Sequence, residues 1–180
     1  MSTQPRRLWP ALLALLVVTA VVKLAYVFLG THYRDYVFGD SAHYFGRALA
    51  FFNGQKPWHL DWDVFPMGGS VLLALYWALL DGLGIHGHFV ESAMVLNVLA
   101  STGCTALVFH LAWRLSGRWW LSLAITAVYG FYFPLLYLNA FVLSEPGTTF
   151  LFLAALSALA ESWQRPRSLP WLVLSGLLWA

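Results

Sequence analysis

The sequence predicts an all-α, polytopic integral membrane protein with about five transmembrane helices, the last one truncated, and two juxtamembrane helices in its first outer loop. Three observations carry that prediction. Of the 180 residues, 60% are hydrophobic and 10% charged, with mean hydropathy +0.68, whereas soluble domains are roughly 25% charged. Apolar runs recur at the length that crosses about 30 Å of hydrocarbon, which is about 20 residues of helix. The charges are also segregated. Arg6 and Arg7, Arg114 and Arg118, and Arg165 and Arg167 flank the runs in pairs, while six of the eight carboxylates lie between Asp35 and Glu91.

The first span is predicted over residues 8–30. Its leading Arg pair and apolar run also match a signal peptide with Val18-Thr19-Ala20 as the cleavage site, but the run is long enough to span and continues past any cut. Lys23 falls inside it, about 10 Å from the outer end, near enough for its ammonium to snorkel to the surface. A buried ion pair or a contact with a substrate phosphate are its other readings.

Residues 31–89 follow as one long outer loop. Within it, 41–53 is helical in pattern, with Phe45, Ala48, Leu49 and Phe52 on one face and His43 and Arg47 four apart on another. Residues 65–80 form a second apolar helix, opening with Pro66, Gly68 and Gly69. If that helix crossed the membrane, Arg114 and Arg118 would face the side opposite Arg6 and Arg7. Left uncrossed, all three Arg pairs face the cytoplasm, as the positive-inside rule requires. Trp9, Trp113, Trp119, Trp120, Trp163 and Trp171 then share the cytoplasmic interface. The 65–80 helix is therefore expected to be interfacial or re-entrant, packed against the spans.

Further spans are predicted over 90–115, 119–141, 146–163 and 170–180. The last is still running at Ala180 after about 11 residues, about 16 Å of helix. The 180 residues are accordingly expected to be the N-terminal part of something longer and inactive alone.

Several chemistries lack support. The lone Cys104 offers neither a disulfide nor a thiolate metal site, and a net charge of +2 is too small to suggest nucleic acid. No Gly-rich phosphate loop, His-Glu-x-x-His or Gly-x-Ser-x-Gly occurs. His86-Gly87-His88 and Asp61-Trp62-Asp63 read as polar loop and solvated turn before they read as metal ligands.

The carboxylates are more informative. Asp40, directly before the 41–53 helix, reads as an N-cap, typically contributing about 1 kcal/mol, and as a general base. The two roles compete for the same oxygens. Glu145, in Ser144-Glu145-Pro146, reads as an ordinary helix start with Pro in the first turn. A carboxylate ending two otherwise uncharged helices is also costly unless it faces water or a polar partner.

Taken in order, the first span, Gly39-Asp40-Ser41-Ala42-His43-Tyr44, the amphipathic helix, the apolar helix opening at Phe65-Pro66, the two spans around Arg114 to Arg118, and Ser144-Glu145 resemble a known layout. It is that of the N-terminal portion of GT-C glycosyltransferases (glycosyltransferase family 39), of the protein O-mannosyltransferase and lipid A aminoarabinose transferase type. The resemblance covers all 180 residues in layout, with short motifs.

It implies an extracytoplasmic active site in the plasma or inner membrane and a polyprenyl-phosphate sugar as donor. A lipid, glycan or protein hydroxyl would be the acceptor, and transfer would invert the anomeric centre. Asp40 would be the base and Glu145 the second carboxylate. Tyr44, Arg47, Lys56, Arg34 and Lys23 are the candidate substrate-binding residues, the cations for the departing phosphate. No cofactor is implied, and a divalent metal is left open. Many relatives have Asp-Glu where this chain has Asp40-Ser41, and Pro-Pro where it has Phe65-Pro66-Met67, so the acceptor is not specified. A transporter or channel subunit, or a non-enzymatic membrane scaffold, are the competing classes.

Overall fold

Helices form where the apolar runs lie and stop where glycine or proline interrupts them. The computed structural model describes residues 9–37, 39–55, 68–142, 144–164 and 169–179, and among these all regular structure is helical. Helix α1 (Trp9–Gly30) leads through a 3-10 turn (Tyr33–Tyr36) to α2 (Asp40–Phe52) and α3 (Gly68–Gly82). There follow α4 (Phe89–Ser116), α5 (Trp119–Gly130), the short α6 (Phe133–Leu138), α7 (Glu145–Gln164) and α8 (Leu169–Trp179). Two helices are long and apolar enough to cross a membrane, α1 with 22 residues and α4 with 28, about 33 and 42 Å. α7 has 20 residues but carries Glu145 and Glu161.

The expected span over 119–141 is not one helix. α5 ends at Gly130 and α6 begins at Phe133, with Pro134 in its first turn. Pro134 has no N–H for the carbonyl of Gly130, and its ring would clash with that carbonyl, so the helix breaks between them. The segment still runs the length of the bundle. Trp119 packs on Trp113 at 5.8 Å, Phe133 on Tyr26 at 5.9 Å, and the Phe141 carbonyl accepts from Asn97. At the other end of α5, Gly117 (φ +63) closes α4, its N–H donating to the Trp113 carbonyl at 2.9 Å. That left-handed cap lets α5 turn straight back along α4.

α2 and α3 pack along the first turns of α4. Trp77 is their common anchor, with Phe89, Phe45 and Phe52 edge-on at 4.9, 5.3 and 6.3 Å and its indole N–H donating to Ser92 Oγ at 2.9 Å. The expected packing of the second loop helix against the long helices is thus present from Gly68 onward. Its opening at 65–67 lies outside the described residues, as does Lys56.

Two charged residues depart from expectation. Lys23 does not reach the surface. It is 1% exposed, donating to the Ser101 carbonyl at 3.0 Å and to Thr105 Oγ1 at 3.1 Å. Acceptors on α4 are nearer than any interface, so the ammonium turns inward. Arg47, expected on the polar face of α2, is fully buried, on the same side of the helix as Ser41, Tyr44 and Ala48.

Burial across the molecule only partly follows the partition that water imposes. Thr19, Lys23, Ser101, Thr105, Ser122 and Thr126 are buried, while Leu13, Val17, Val21, Leu75, Leu79 and Val128 are half or more exposed. Close approach of the helices is set by small residues. A Cβ on Gly130 would stand 2.7 Å from Thr19 Cγ2 and 3.2 Å from Thr105 Cγ2. Gly130→Val should therefore destabilise the fold by about 1–3 kcal/mol, the usual cost of overpacking against stiff β-branched neighbours. Thermal unfolding in mild detergent checks this.

Candidate functional site

Two segments that the sequence singles out, 100 positions apart, meet at one cleft. Ser144 Oγ donates to the Tyr44 hydroxyl at 3.1 Å. Tyr44 is the fifth residue of α2, and Ser144 immediately precedes α7. The cleft is narrow, with a volume of about 50 Å³, and is lined by Tyr44, Gly69, Leu73, Leu96, Asn97 and Ser144 among others. Gly69 is needed there, since a Cβ would lie 3.2 Å from Ser144 Cβ and 3.9 Å from Tyr44 Cδ1. Ser70, the next residue, donates to the Tyr44 carbonyl at 3.1 Å and fixes α3 against α2.

Asp40 stands at the first position of α2, one turn before Tyr44. The i, i+4 spacing puts the two on one face, with Cβ atoms about 5–6 Å apart. The N-cap is Gly39 (φ +54), not Asp40 as the sequence suggests. Glycine tolerates that backbone and starts the helix one residue early, so the Asp40 carboxylate is not spent on capping. It is exposed and, among the described residues, has no hydrogen bond or ion pair. Such a carboxylate is free to accept a proton from a bound hydroxyl.

Glu145 opens α7, as the sequence expects of Ser144-Glu145-Pro146, and is exposed. It borders a second, smaller cleft of about 30 Å³ with Ser101, Cys104, Tyr129 and Thr149. Cys104 Sγ lies 3.8 Å from the Pro146 carbonyl, so α7 starts beside the sixteenth residue of α4, about 22 Å along that helix from Phe89. Asp40 and Glu145 thus begin two helices whose starts are joined by the Tyr44–Ser144 hydrogen bond.

The candidate cations do not gather at this cleft. Arg34 is tied to Glu91 at 2.7 Å, and Tyr33 donates to the same carboxylate at 3.2 Å. The hydrogen bond with Glu91, followed by Tyr33, raises the guanidinium pKa above its ordinary value. Lys23 and Arg47 are buried, and neither lines the cleft. Ser144, Asn97 and Gly69 are the cleft residues that sequence reasoning did not assign to a site. An amide alone in the apolar run of α4 was the available signal for Asn97.

Among the described residues no group of three His, Cys, Asp or Glu is placed to hold a metal, and His86 Nδ1 instead meets Asp81 Oδ1 at 2.5 Å. Asp61 and Asp63 lie outside the described residues. A larger cleft, about 680 Å³, lies at the opposite end of the bundle between α1 and α4 and has no carboxylate in its wall.

No family model, curated protein or solved structure matches this chain.

Tyr44→Phe removes the hydroxyl that joins α2 to the start of α7. The fold should survive with a loss of about 1 kcal/mol, and amide exchange across 144–149 should quicken while that across α4 does not.

Proposed function

We propose that the protein is an integral membrane glycosyltransferase of the GT-C type, moving a sugar from a polyprenyl phosphate to an acceptor hydroxyl on the extracytoplasmic side. The observation that carries this reading is the hydrogen bond between Ser144 and Tyr44, because it joins the helix starts that bear Asp40 and Glu145. The outward-facing Leu and Val residues support an apolar solvent, as do the lengths of α1 and α4. At about 42 Å, α4 exceeds a 30 Å hydrocarbon core by about 12 Å. Its first turns, clad by α2 and α3, would then stand in the outer headgroup layer. Arg114 and Arg118 mark the cytoplasmic end.

In the proposed reaction Asp40 takes the proton of the acceptor hydroxyl. The oxygen lone pair forms the new bond to the anomeric carbon, the bond from that carbon to the lipid phosphate oxygen breaks, and the phosphate departs with the electron pair from the opposite face. Glu145 supplies the second carboxylate, from the start of α7 about midway along α4, to orient the acceptor. Arg34, exposed and paired with Glu91 at 2.7 Å, is the candidate cation for the leaving phosphate.

In membranes carrying the full-length gene product, Asp40→Asn should reduce transfer from a polyprenyl-phosphate sugar by about 10²- to 10⁴-fold, the usual contribution of a general base, with expression unchanged. Near-normal transfer would remove Asp40 as the base. Orientation has its own test in a Cys104→Ala background. A cysteine replacing His86 should react with an impermeant thiol reagent from outside, and one replacing Ser116 should be protected; the reverse labelling would overturn the topology. The buried ammonium of Lys23 favours a second reading, a transport path through the bundle. Solute uptake that is lost in Lys23→Met, with no sugar transfer in the parent protein, would establish that reading instead.

A further inference from the structure

Two opposite charges stand at one level of the bundle, each without a counter-charge in contact. Lys23 is the single charged residue of α1, and it is fully buried. Its ammonium donates to the Ser101 carbonyl at 3.0 Å and to Thr105 Oγ1 at 3.1 Å, both neutral acceptors. Among the described residues it makes no ion pair, and a buried ammonium with neutral partners alone is costly in an apolar bundle. Glu145 is the second charge. The next residue, Pro146, places its carbonyl 3.8 Å from Cys104 Sγ, on the same turn of α4 as the two residues that receive Lys23. Elimination points to the same carboxylate. Of those carried by α4 to α8, Glu91 is matched by Arg34, and Glu161 by Arg114 and His110, which leaves Glu145.

The space between the two charges is polar and can hold water. Glu145 lines a cleft of about 30 Å³ whose wall also includes Ser101, Cys104, Tyr129 and Thr149. Ser101 carries the carbonyl that holds Lys23, and Cys104 lies close enough to the ammonium to interact with it electrostatically. The Tyr129 hydroxyl is within hydrogen-bonding reach of Cys104. That volume accommodates about two waters, and the hydroxyls and carboxylate of the wall supply the two to four polar partners that an enclosed water needs. Charges of opposite sign attract across such a gap far more strongly in a bundle interior than in bulk water.

We propose that Lys23 and Glu145 form a charge pair bridged by water through this cleft, in which Lys23 is a positioning residue that holds the Glu145 carboxylate at the start of α7. The inference rests on the membrane location proposed above and not on sugar transfer.

A double-substitution cycle on the full-length protein, extracted in mild detergent and read by thermal unfolding, tests the pairing. Glu145→Gln should lower the melting temperature of the parent protein by about 5 °C. In the Lys23→Met background, where the carboxylate has lost its counter-charge, the same change should raise it. Tyr129→Phe, which removes a polar group from the bridge, should shrink the difference between the two backgrounds. A Glu145→Gln effect of the same sign and size in both backgrounds would overturn the proposal by showing that the charges act independently. If Lys23→Met alone gives no folded protein, adding Glu145→Gln should restore it, and a double variant no better than Lys23→Met would overturn the pairing. Failure of the membrane reading looks different: the parent protein would then leave the membrane fraction without detergent.

Discussion

A stripe of polar groups on α4 organises the molecule by engaging the surrounding elements in turn. Ser92 accepts the indole N–H of Trp77 from α3, Asn97 donates to the Phe141 carbonyl beyond α6, and Ser101 and Thr105 accept the ammonium of Lys23 from α1. Farther along, Cys104 touches the start of α7, and His110 and Arg114 hold Glu161 near its end. Where a bundle exposes its leucines and valines and buries its hydroxyls, apolar burial discriminates poorly between helix pairings. Directional bonds and small-residue contacts must choose the register instead. Register here rests on the number of these bonds and on contacts such as Gly130 against Thr19 and Thr105.

The candidate site inherits its geometry from that stripe. Asn97 holds the segment after α6 against α4, which delivers Ser144 to Tyr44. Trp77 and Ser70 hold α2 and α3 over the outer turns of α4, which brings Asp40 to the same end. The cleft is therefore a junction of four segments, and its polar rim is made by hydroxyls that also do structural work. The carboxylates themselves take no part in that work among the described residues, which leaves them available for chemistry.

Several features were legible before any coordinates. The amphipathic pattern at 41–53 and the apolar run at 65–80 become α2 and α3, and Ser144-Glu145-Pro146 starts a helix as its residue types require. Pro134 was equally visible, yet an apolar run of 23 residues masked it, because hydropathy averages over a break that a single missing N–H creates. The capping of α2 was misplaced by one residue, since Asp40 has the stronger side-chain preference and only the backbone angle of Gly39 reveals that the helix begins earlier.

Sequence by itself determined that the chain is helical and where most of its helices fall, since periodicity and breakers are local properties of the chain. Tertiary structure alone decided the fate of Lys23 and Arg47, both drawn inward, and the meeting of Tyr44 with Ser144 across 100 positions. The physical reason is the same in each case. Which donor reaches which acceptor depends on how neighbouring helices are aligned, and in a bundle with an apolar exterior that alignment is set by pairwise polar contacts that no periodicity encodes.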